Sequence, residues 1–226
     1  MITTHIPGTD RDEDRIAGGQ GRDGKRRRRV LTSMGGLVVA GLILALGTVM
    51  SSNANFSERY VTEQLAQQRI TFRAAEALTD EERKSSCVVE NAGRMLTTGA
   101  QAECFANEFI GLHVKSLANG RTYAEVSDTQ MALRARVAAA QANGDPALPD
   151  LQKQLADVSR QTDTLFRAES LRGMLLTSYG FGTLGEKAAE AATVAYGAAA
   201  IVALLSVAGL VFALVRRPGA RVAHGR

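Results

Sequence analysis

Two uncharged apolar stretches decide the fold of this chain: VLTSMGGLVVAGLILALGTVM at residues 30–50 and AATVAYGAAAIVALLSVAGLVFALV at residues 191–215. A helix rises 1.5 Å per residue, so about 20 residues cross a hydrocarbon core about 30 Å thick. The alternative is a buried core helix of a soluble protein, but such helices rarely run this long without a polar face. Both stretches are therefore predicted to be transmembrane helices.

Basic residues flank both stretches on the sides that face away from residues 51–190. They are Lys25, Arg26, Arg27, Arg28 and Arg29 before the first stretch, and Arg216 and Arg217 after the second. Basic residues beside a membrane span are retained on the cytoplasmic side. Both termini are therefore expected in the cytoplasm, with the region between the spans outside the plasma membrane.

The net charge of +4 is unevenly distributed along the chain. Residues 1–29 carry 8 basic and 5 acidic groups, and residues 216–226 carry 4 basic and no acidic groups. The region between the spans holds the remaining 15 basic and 18 acidic residues. An arginine run can also bind nucleic acid, but beside a span it is typical of a topogenic signal, so no nucleic-acid partner is expected.

A cleaved signal peptide is the alternative to a first transmembrane helix. Ser52, Asn53 and Ala54 form a small-x-small cleavage pattern. The apolar region is longer than the 7–15 residues typical of a signal peptide. An uncleaved membrane anchor is therefore predicted.

The only two cysteines, Cys87 and Cys104, both lie between the spans. An even count in an oxidising compartment favours one disulfide, closing a loop worth about 3 kcal/mol. Two free thiols are the alternative. A zinc site is not expected, because no further ligand lies at zinc spacing from either cysteine.

The pattern of residues 51–190 predicts helices, because apolar and polar residues do not alternate there as they would in a strand. The first helix is predicted to continue to about Leu78, and a capping-box pattern at Thr79 and Glu82 then starts a short helix carrying Cys87. A third helix is predicted over 101–118, with one buried stripe formed by Phe105, Phe109, Leu112 and Ser116. Further capping boxes are Thr122/Glu125 and Ser127/Gln130, opening an alanine-rich helix that ends at Asn143 and Gly144.

The last soluble helix is predicted to begin at Asp150. Its apolar positions alternate in steps of four and three, a coiled-coil pattern: Leu151, Leu155, Val158, Thr162 and Leu165. Two heptads favour packing within the chain over a dimeric coiled coil.

Residues 171–185 are apolar but contain Gly173, Gly180, Gly182 and Gly185. They either pack at the membrane surface, with Tyr179 and Phe181 at headgroup level, or continue the helix into the second span.

Small residues recur four apart in both spans. They are Gly36/Ala40 and Gly41/Ala45 in the first, and Ala195/Ala199/Ala203 and Gly209/Ala213 in the second. Such spacing permits close helix contact, although abundant alanine also produces it by chance.

The predicted fold class is all-α, with two transmembrane helices bracketing an extracytoplasmic helical bundle. The predicted organisation is a disordered basic cytoplasmic tail (1–29), transmembrane helix 1 (30–50), an extracytoplasmic helical domain (51–190), transmembrane helix 2 (191–215) and a cytoplasmic tail (216–226).

Segments 60–65, 70–72, 96–99 and 164–173 resemble a group of uncharacterised actinobacterial two-span membrane proteins. The resemblance covers most of residues 56–215 and implies the two-span topology. Members of that group are sometimes labelled aromatic ring-opening dioxygenases. Extradiol iron chemistry typically needs two His and a carboxylate at one site, whereas His113 is alone between the spans, with His5 and His224 in the tails.

No catalytic residue, metal site or cofactor is therefore expected. The expected function is non-enzymatic: a disulfide-stapled ectodomain, held at the lipid bilayer, that binds or positions a protein partner in the cell envelope. The alternative is a ligand-sensing ectodomain that signals through a separate partner, since the short predicted tails carry no signalling module.

Overall fold

The computed structural model describes the backbone of residues 10–215 and the side chains of residues 26–215. Arg216, Arg217 and the rest of the predicted C-terminal tail lie outside the described residues. The described part is mostly helical and contains no strand, which confirms the all-α class. The chain divides into two units, Asn53–Lys187 and the remainder.

The α-helices are α1 (Asp10–Gln68), α2 (Ser86–Glu90), α3 (Gly99–Cys104), α4 (Gly111–Leu117), α5 (Tyr123–Asn143) and α6 (Leu148–Val215). Two 3-10 turns, Ala75–Ala77 and Glu82–Lys84, precede α2, and a π-helix, Phe105–Ile110, joins α3 to α4. α1 and α6 are each long and apolar enough to cross a membrane. Only 17% of each apolar window is buried, whereas a core helix of a soluble protein is mostly buried.

α1 begins at Asp10, inside the segment 1–29 for which the sequence predicts disorder. Residues 1–9 of that segment lie outside the described residues. Extending an existing helix adds one hydrogen bond per residue without a new nucleation step. The apolar stretch that follows can therefore carry helix into a polar, glycine-rich flank.

In the first unit, the apolar parts of α1 and α6 pack antiparallel through small residues. A Cβ added to Gly209 would lie 2.8 Å from the Ser33 hydroxyl, and one added to Gly36 would overlap the Ser206 hydroxyl. A Cβ at Gly47 would meet the Tyr196 ring at 3.0 Å. At these three glycines the facing helix therefore leaves no room for a larger side chain.

Only some of the predicted small-residue pairs lie at this contact. Ala40, Ala199 and Ala213 are buried there, whereas Gly41 has no atom within 4 Å of an added Cβ and Ala45 is exposed. Close approach is thus a property of one face of each helix.

In the second unit, α1 ends ten residues before the predicted Leu78. Arg69 has a positive φ of 51°, which stops the helix, and the chain then continues in an extended conformation. The Phe72 N–H donates to the Arg94 carbonyl and the Leu96 N–H to the Ile70 carbonyl, at 2.9 and 2.8 Å. This pairing buries Phe72 and Leu96 at the centre of the unit's core.

The helical segment 99–117 contains a π-helix, and this changes which residues face the core. The predicted stripe is wrong in its second half, because Leu112 is only half-buried and Ser116 is exposed. The large buried side chains after Phe105 are instead Ile110 and Val114, with the small residues Ala106, Gly111 and Ala118 also buried. A π-helix holds more than 3.6 residues per turn, so an α-helical spacing misplaces every later position.

α5 and the first part of α6 form an antiparallel hairpin, named here the hairpin (residues 123–165). Gly144 ends α5 with a left-handed φ of 63°, as the Asn-Gly signal predicts. The predicted α6 seam packs within the chain: Leu151, Thr162 and Leu165 are buried, and Leu155 and Val158 are half-buried.

α5 supplies the matching seam of the hairpin. Its inward positions also alternate by four and three: Val126, Gln130, Leu133, Val137 and Ala140. The buried Gln130 side chain donates to the Ser159 hydroxyl at 2.9 Å. One polar pair inside an apolar seam fixes its register.

The glycine-rich residues 171–185 are helical throughout as part of α6. Two of the glycines are needed for packing. A Cβ on Gly182 would lie 3.3 Å from the Gly99 Cα, and one on Gly185 would lie 2.9 Å from the Ser57 Cβ. Gly173 and Gly180 have open space and no such role.

Candidate functional site

Cys87 and Cys104 form the predicted disulfide, which joins two parts of the second unit. Cys87 lies in α2 and Cys104 ends α3, with their Cα atoms 6.1 Å apart and their sulfurs at bonding distance. No cysteine is free. The disulfide ties the turn that carries Glu82 to the helical segment that carries His113.

Glu82 closes the predicted capping box with Thr79. The Thr79 N–H donates to Glu82 Oε2 at 2.7 Å, and the Glu82 N–H donates to the Thr79 hydroxyl at 3.3 Å. The capped segment is a single 3-10 turn, separated from α2 by Ser85. The Glu82 side chain is 0% exposed, which is exceptional for a carboxylate.

The second carboxylate oxygen of Glu82 faces two basic side chains. Oε1 has no hydrogen-bond partner, but Arg73 Nη1 lies 3.5 Å away and His113 Nε2 lies 3.6 Å away. Arg73 also stacks over the Phe109 ring, 5.3 Å from its centroid. Arg73, Glu82 and His113 are together called the Glu82 cluster.

The hydrogen bond of the His113 ring assigns its tautomer. Nδ1 lies 2.7 Å from the Phe109 carbonyl oxygen, which can only accept, so Nδ1 carries a proton. In the neutral ring, Nε2 is then an acceptor that faces the Glu82 carboxylate. In the protonated ring, Nε2–H points towards the oxygen that lacks a partner.

The pKa of Glu82 lies below its ordinary value. Burial alone raises this pKa, but the hydrogen bonds from the Thr79 backbone and hydroxyl lower it, followed by the charges of Arg73 and His113. The bonds and charges outweigh the burial. Glu82 is thus a buried carboxylate that the fold keeps ionised.

A surface groove of about 740 Å³ adjoins the Glu82 cluster. Its lining residues are Thr79, Glu81, Leu112, His113, Lys115, Ser116 and Gly120. Among the described residues no group of three His, Cys, Asp or Glu could hold a metal ion.

A second surface feature is an exposed apolar cluster where the α4–α5 connection rests on α6. The rings of Tyr123 and Phe166 lie 5.8 Å apart and are parts of side chains 38% and 57% exposed. Leu117 is also exposed, and its carbonyl accepts a 2.7 Å hydrogen bond from the Gln161 amide. Leu117, Tyr123 and Phe166 are called the aromatic patch.

The aromatic patch was not predicted from the sequence. The pattern that could have indicated it is an aromatic residue directly after a buried seam position. Phe166 follows the fully buried Leu165, and helix geometry therefore turns the Phe166 side chain outward. Tyr123 directly follows the capping residue Thr122.

The arginines predicted to be topogenic lie at one end of the antiparallel pair. Arg26 Nε donates to the Ala213 carbonyl at 3.4 Å, and the Arg29 guanidinium lies 5.7 Å from the centroid of the Phe212 ring. Arg27 and Arg28 are exposed. The Lys25 side chain, Arg216 and Arg217 lie outside the described side chains.

No protein-family model, curated protein or solved structure matches the chain. The resemblance to actinobacterial two-span membrane proteins therefore stays a proposal. Within the segments that carry it, Val61, Leu65 and Leu165 are buried, while Phe166 is exposed.

Proposed function

We propose that the protein is a non-enzymatic protein of the plasma membrane whose helical ectodomain binds a protein partner in the cell envelope. Two long apolar helices with mostly exposed surfaces support membrane insertion. The basic residues before α1's apolar stretch support cytoplasmic termini. The disulfide between Cys87 and Cys104 is in keeping with an ectodomain in an oxidising compartment.

The aromatic patch is the observation that carries partner binding. Exposed aromatic side chains are enriched at the centres of protein interfaces, where they supply most of the binding energy. Phe166 lies 21 residues before Lys187, the last residue of its unit, which is about 30 Å along a helix. A lipid headgroup layer is only about 5–8 Å thick, so the patch fits a protein better than a membrane surface.

The hairpin seam is excluded as the docking element. Its α6 face, including Leu151 and Leu165, is already packed against α5 of the same chain. A coiled-coil partner would have to open this pairing. The partner is therefore expected to contact the outer surface of the hairpin.

Cross-linked co-purification of the full chain from native membranes tests the proposal. Phe166→Ala and Tyr123→Ala should each remove a stoichiometric partner, whereas Met131→Ala should retain it, because Met131 is equally exposed but lies elsewhere on α5. A partner retained equally by all three variants would refute the patch. Recovery of only a second copy of this chain would identify self-association instead.

The topology has its own test. Reporter fusions at Met1 and Arg226 should report a cytoplasmic location, and a fusion within the loop after Gly144 an external one. Any other pattern contradicts the two-span arrangement, independently of whether a partner is found.

Ligand sensing is the second candidate function, and the groove beside the Glu82 cluster favours it. A ligand contacting His113 or Lys115 would alter the charge next to the buried Glu82 carboxylate. A small molecule that stabilises the full chain thermally, with the effect lost in Lys115→Ala, would support sensing. Stabilisation that survives Lys115→Ala would place the ligand elsewhere.

A further inference from the structure

A groove of about 460 Å³ lies in the first unit, where the arginine run meets the apolar stretch. Its lining residues are Arg28, Arg29, Thr32, Ser33, Gly209 and Phe212. One side of this groove is cationic and the other is apolar. It is called the arginine groove.

The positive charge in the arginine groove is not neutralised within the described part of the chain. Neither Arg28 nor Arg29 forms an ion pair with a described acidic residue. Arg29 is held over the Phe212 ring by a cation–π contact, which orients the guanidinium without compensating its charge. Among the described residues, an anion would thus meet two guanidinium groups that have no acidic partner.

Part of the groove lining is a glycine. A Cβ at Gly209 would lie 2.8 Å from the hydroxyl of Ser33, which also lines the groove. The neighbouring outward residues Leu31 and Met34 are exposed and apolar. The cationic groove therefore adjoins an apolar surface, and this arrangement would match a ligand with a charged head and a hydrocarbon tail.

We propose that the arginine groove binds the phosphate of an anionic phospholipid headgroup. This inference rests on the proposed membrane insertion of α1 and α6. Guanidinium groups bind phosphate oxygens through paired, charge-assisted hydrogen bonds, and basic pockets between spans on the cytoplasmic side suit lipid headgroups. The adjoining apolar surface favours a lipid over free phosphate.

The test measures binding of phosphatidylglycerol to the delipidated full chain, with phosphatidylcholine as the neutral comparison. The double variant Arg28→Gln/Arg29→Gln should lose about tenfold or more in affinity for phosphatidylglycerol. Arg27→Gln is the charge control, since Arg27 is exposed but does not line the groove. It should lose about twofold or less.

A variant that keeps every charge tests the shape of the groove. Gly209→Ala should also weaken phosphatidylglycerol binding, because its methyl group would extend into the groove lining beside Ser33. Full binding by Gly209→Ala, or equal losses in Arg27→Gln and the double variant, would overturn the site in favour of general attraction to basic residues. Displacement of the lipid by equimolar inorganic phosphate would overturn the lipid as its ligand.

Failure of this inference is distinguishable from failure of the proposed function. If alkaline carbonate extracts the chain from membranes, the two-span proposal itself is wrong. If the chain stays inserted, and a reporter after Gly144 stays external in every variant, the lipid measurements bear on the arginine groove alone.

Discussion

The described part of the molecule contains two antiparallel helix pairs with opposite chemistry. In the hairpin, the seam positions are mostly large, such as Leu133, Leu151 and Leu165. Between the apolar stretches of α1 and α6, the closest contacts involve Gly36 and Gly209. Large residues such as Leu204 point outward from that second pair instead.

This difference is expected if the hairpin lies in water and the apolar stretches lie in a lipid bilayer. In water, burial of large apolar side chains drives helices together, at about 25 cal/mol per Å². In lipid the surroundings are as apolar as leucine, so association depends on close packing of small residues. The inverted pattern supports a bilayer around the apolar stretches.

Buried polar groups also differ between the second unit and the apolar stretches of the first unit. The second unit buries an ionised carboxylate, Glu82, beside basic partners that reach water. The buried polar side chains in the apolar stretches are hydroxyls, Ser33 and Ser206. A hydroxyl is far easier to remove from water than a charge.

The strongest test of the comparison is one substitution made in both regions. Leu165→Ala removes a fully buried leucine from the hairpin and should destabilise the second unit by about 3 kcal/mol. Leu204→Ala removes a leucine that is 71% exposed and should have little effect in a bilayer, since lipid fills the space. Hydrogen exchange of the full chain in nanodiscs would measure both effects.

Equal losses from the two leucine variants would contradict the comparison. That result would mean that Leu204 is buried in a protein core and that α6 does not face lipid.

The next largest effect is expected at the glycine contacts. Gly36→Leu should push the two apolar helices apart and cost about 1–3 kcal/mol, because its side chain meets Ser206. Gly41→Leu is the matched control, since no atom lies near an added Cβ there. Their separation can be read from a disulfide engineered as Ser33→Cys/Gly209→Cys, whose Cβ atoms would be 4.0 Å apart.

The engineered cross-link should form in isolated native membranes when a thiol oxidant such as copper phenanthroline is added, because thiols at the cytoplasmic face are otherwise kept reduced. It should persist with Gly41→Leu and fall several-fold with Gly36→Leu. A cross-link that is insensitive to Gly36→Leu would show that the helices do not depend on close glycine packing.

Sequence reasoning located the apolar helices, the cysteine pair and the hairpin loop, because each depends on local chemistry. Asn143 and Gly144 specify a helix end through backbone conformation, and Thr79 and Glu82 specify a cap through residues three apart. The α6 seam was visible because leucine at heptad spacing is distinctive.

The remaining features depend on contacts that are distant in sequence. The pairing of Ile70 and Leu96 has no alternating pattern, since it involves only a few residues. The π-helix shifted the register after Phe105 without a composition signal. From the sequence, Glu82 is predicted only to cap the start of a helix. The fold places Arg73 and His113 around its second carboxylate oxygen.

Stability in acid should reveal the buried charge of the second unit. The pKa of Glu82 is lowered by folding, so its stabilising contribution is complete above its ordinary value of about 4.5 and is lost as the pH falls through the lowered value. Glu82→Gln should therefore cost about 1–3 kcal/mol at neutral pH. Its deficit relative to the parent chain should shrink below pH 4.5.

Glu81→Gln provides the control for this pH dependence. Glu81 is exposed and pairs only with Lys84 at 2.6 Å, and such surface pairs contribute about 0–1 kcal/mol. Thermal unfolding of both variants from pH 7 to pH 3 would separate the two carboxylates. A Glu82→Gln deficit that stays constant over this range would show that its ionisation is not coupled to folding.

The smallest effect is expected at Gln130, the polar position within the hairpin seam. Gln130→Leu removes the bond to Ser159 but adds apolar burial, so the free energy of unfolding should change by less than about 1 kcal/mol. The predicted consequence is loss of register specificity, seen as additional amide signals from α5 in nuclear magnetic resonance spectra. Gln154→Leu, at an exposed position on the same hairpin, should leave a single set of signals. A single set from Gln130→Leu as well would mean that the large apolar side chains of the hairpin seam fix its register without the polar pair.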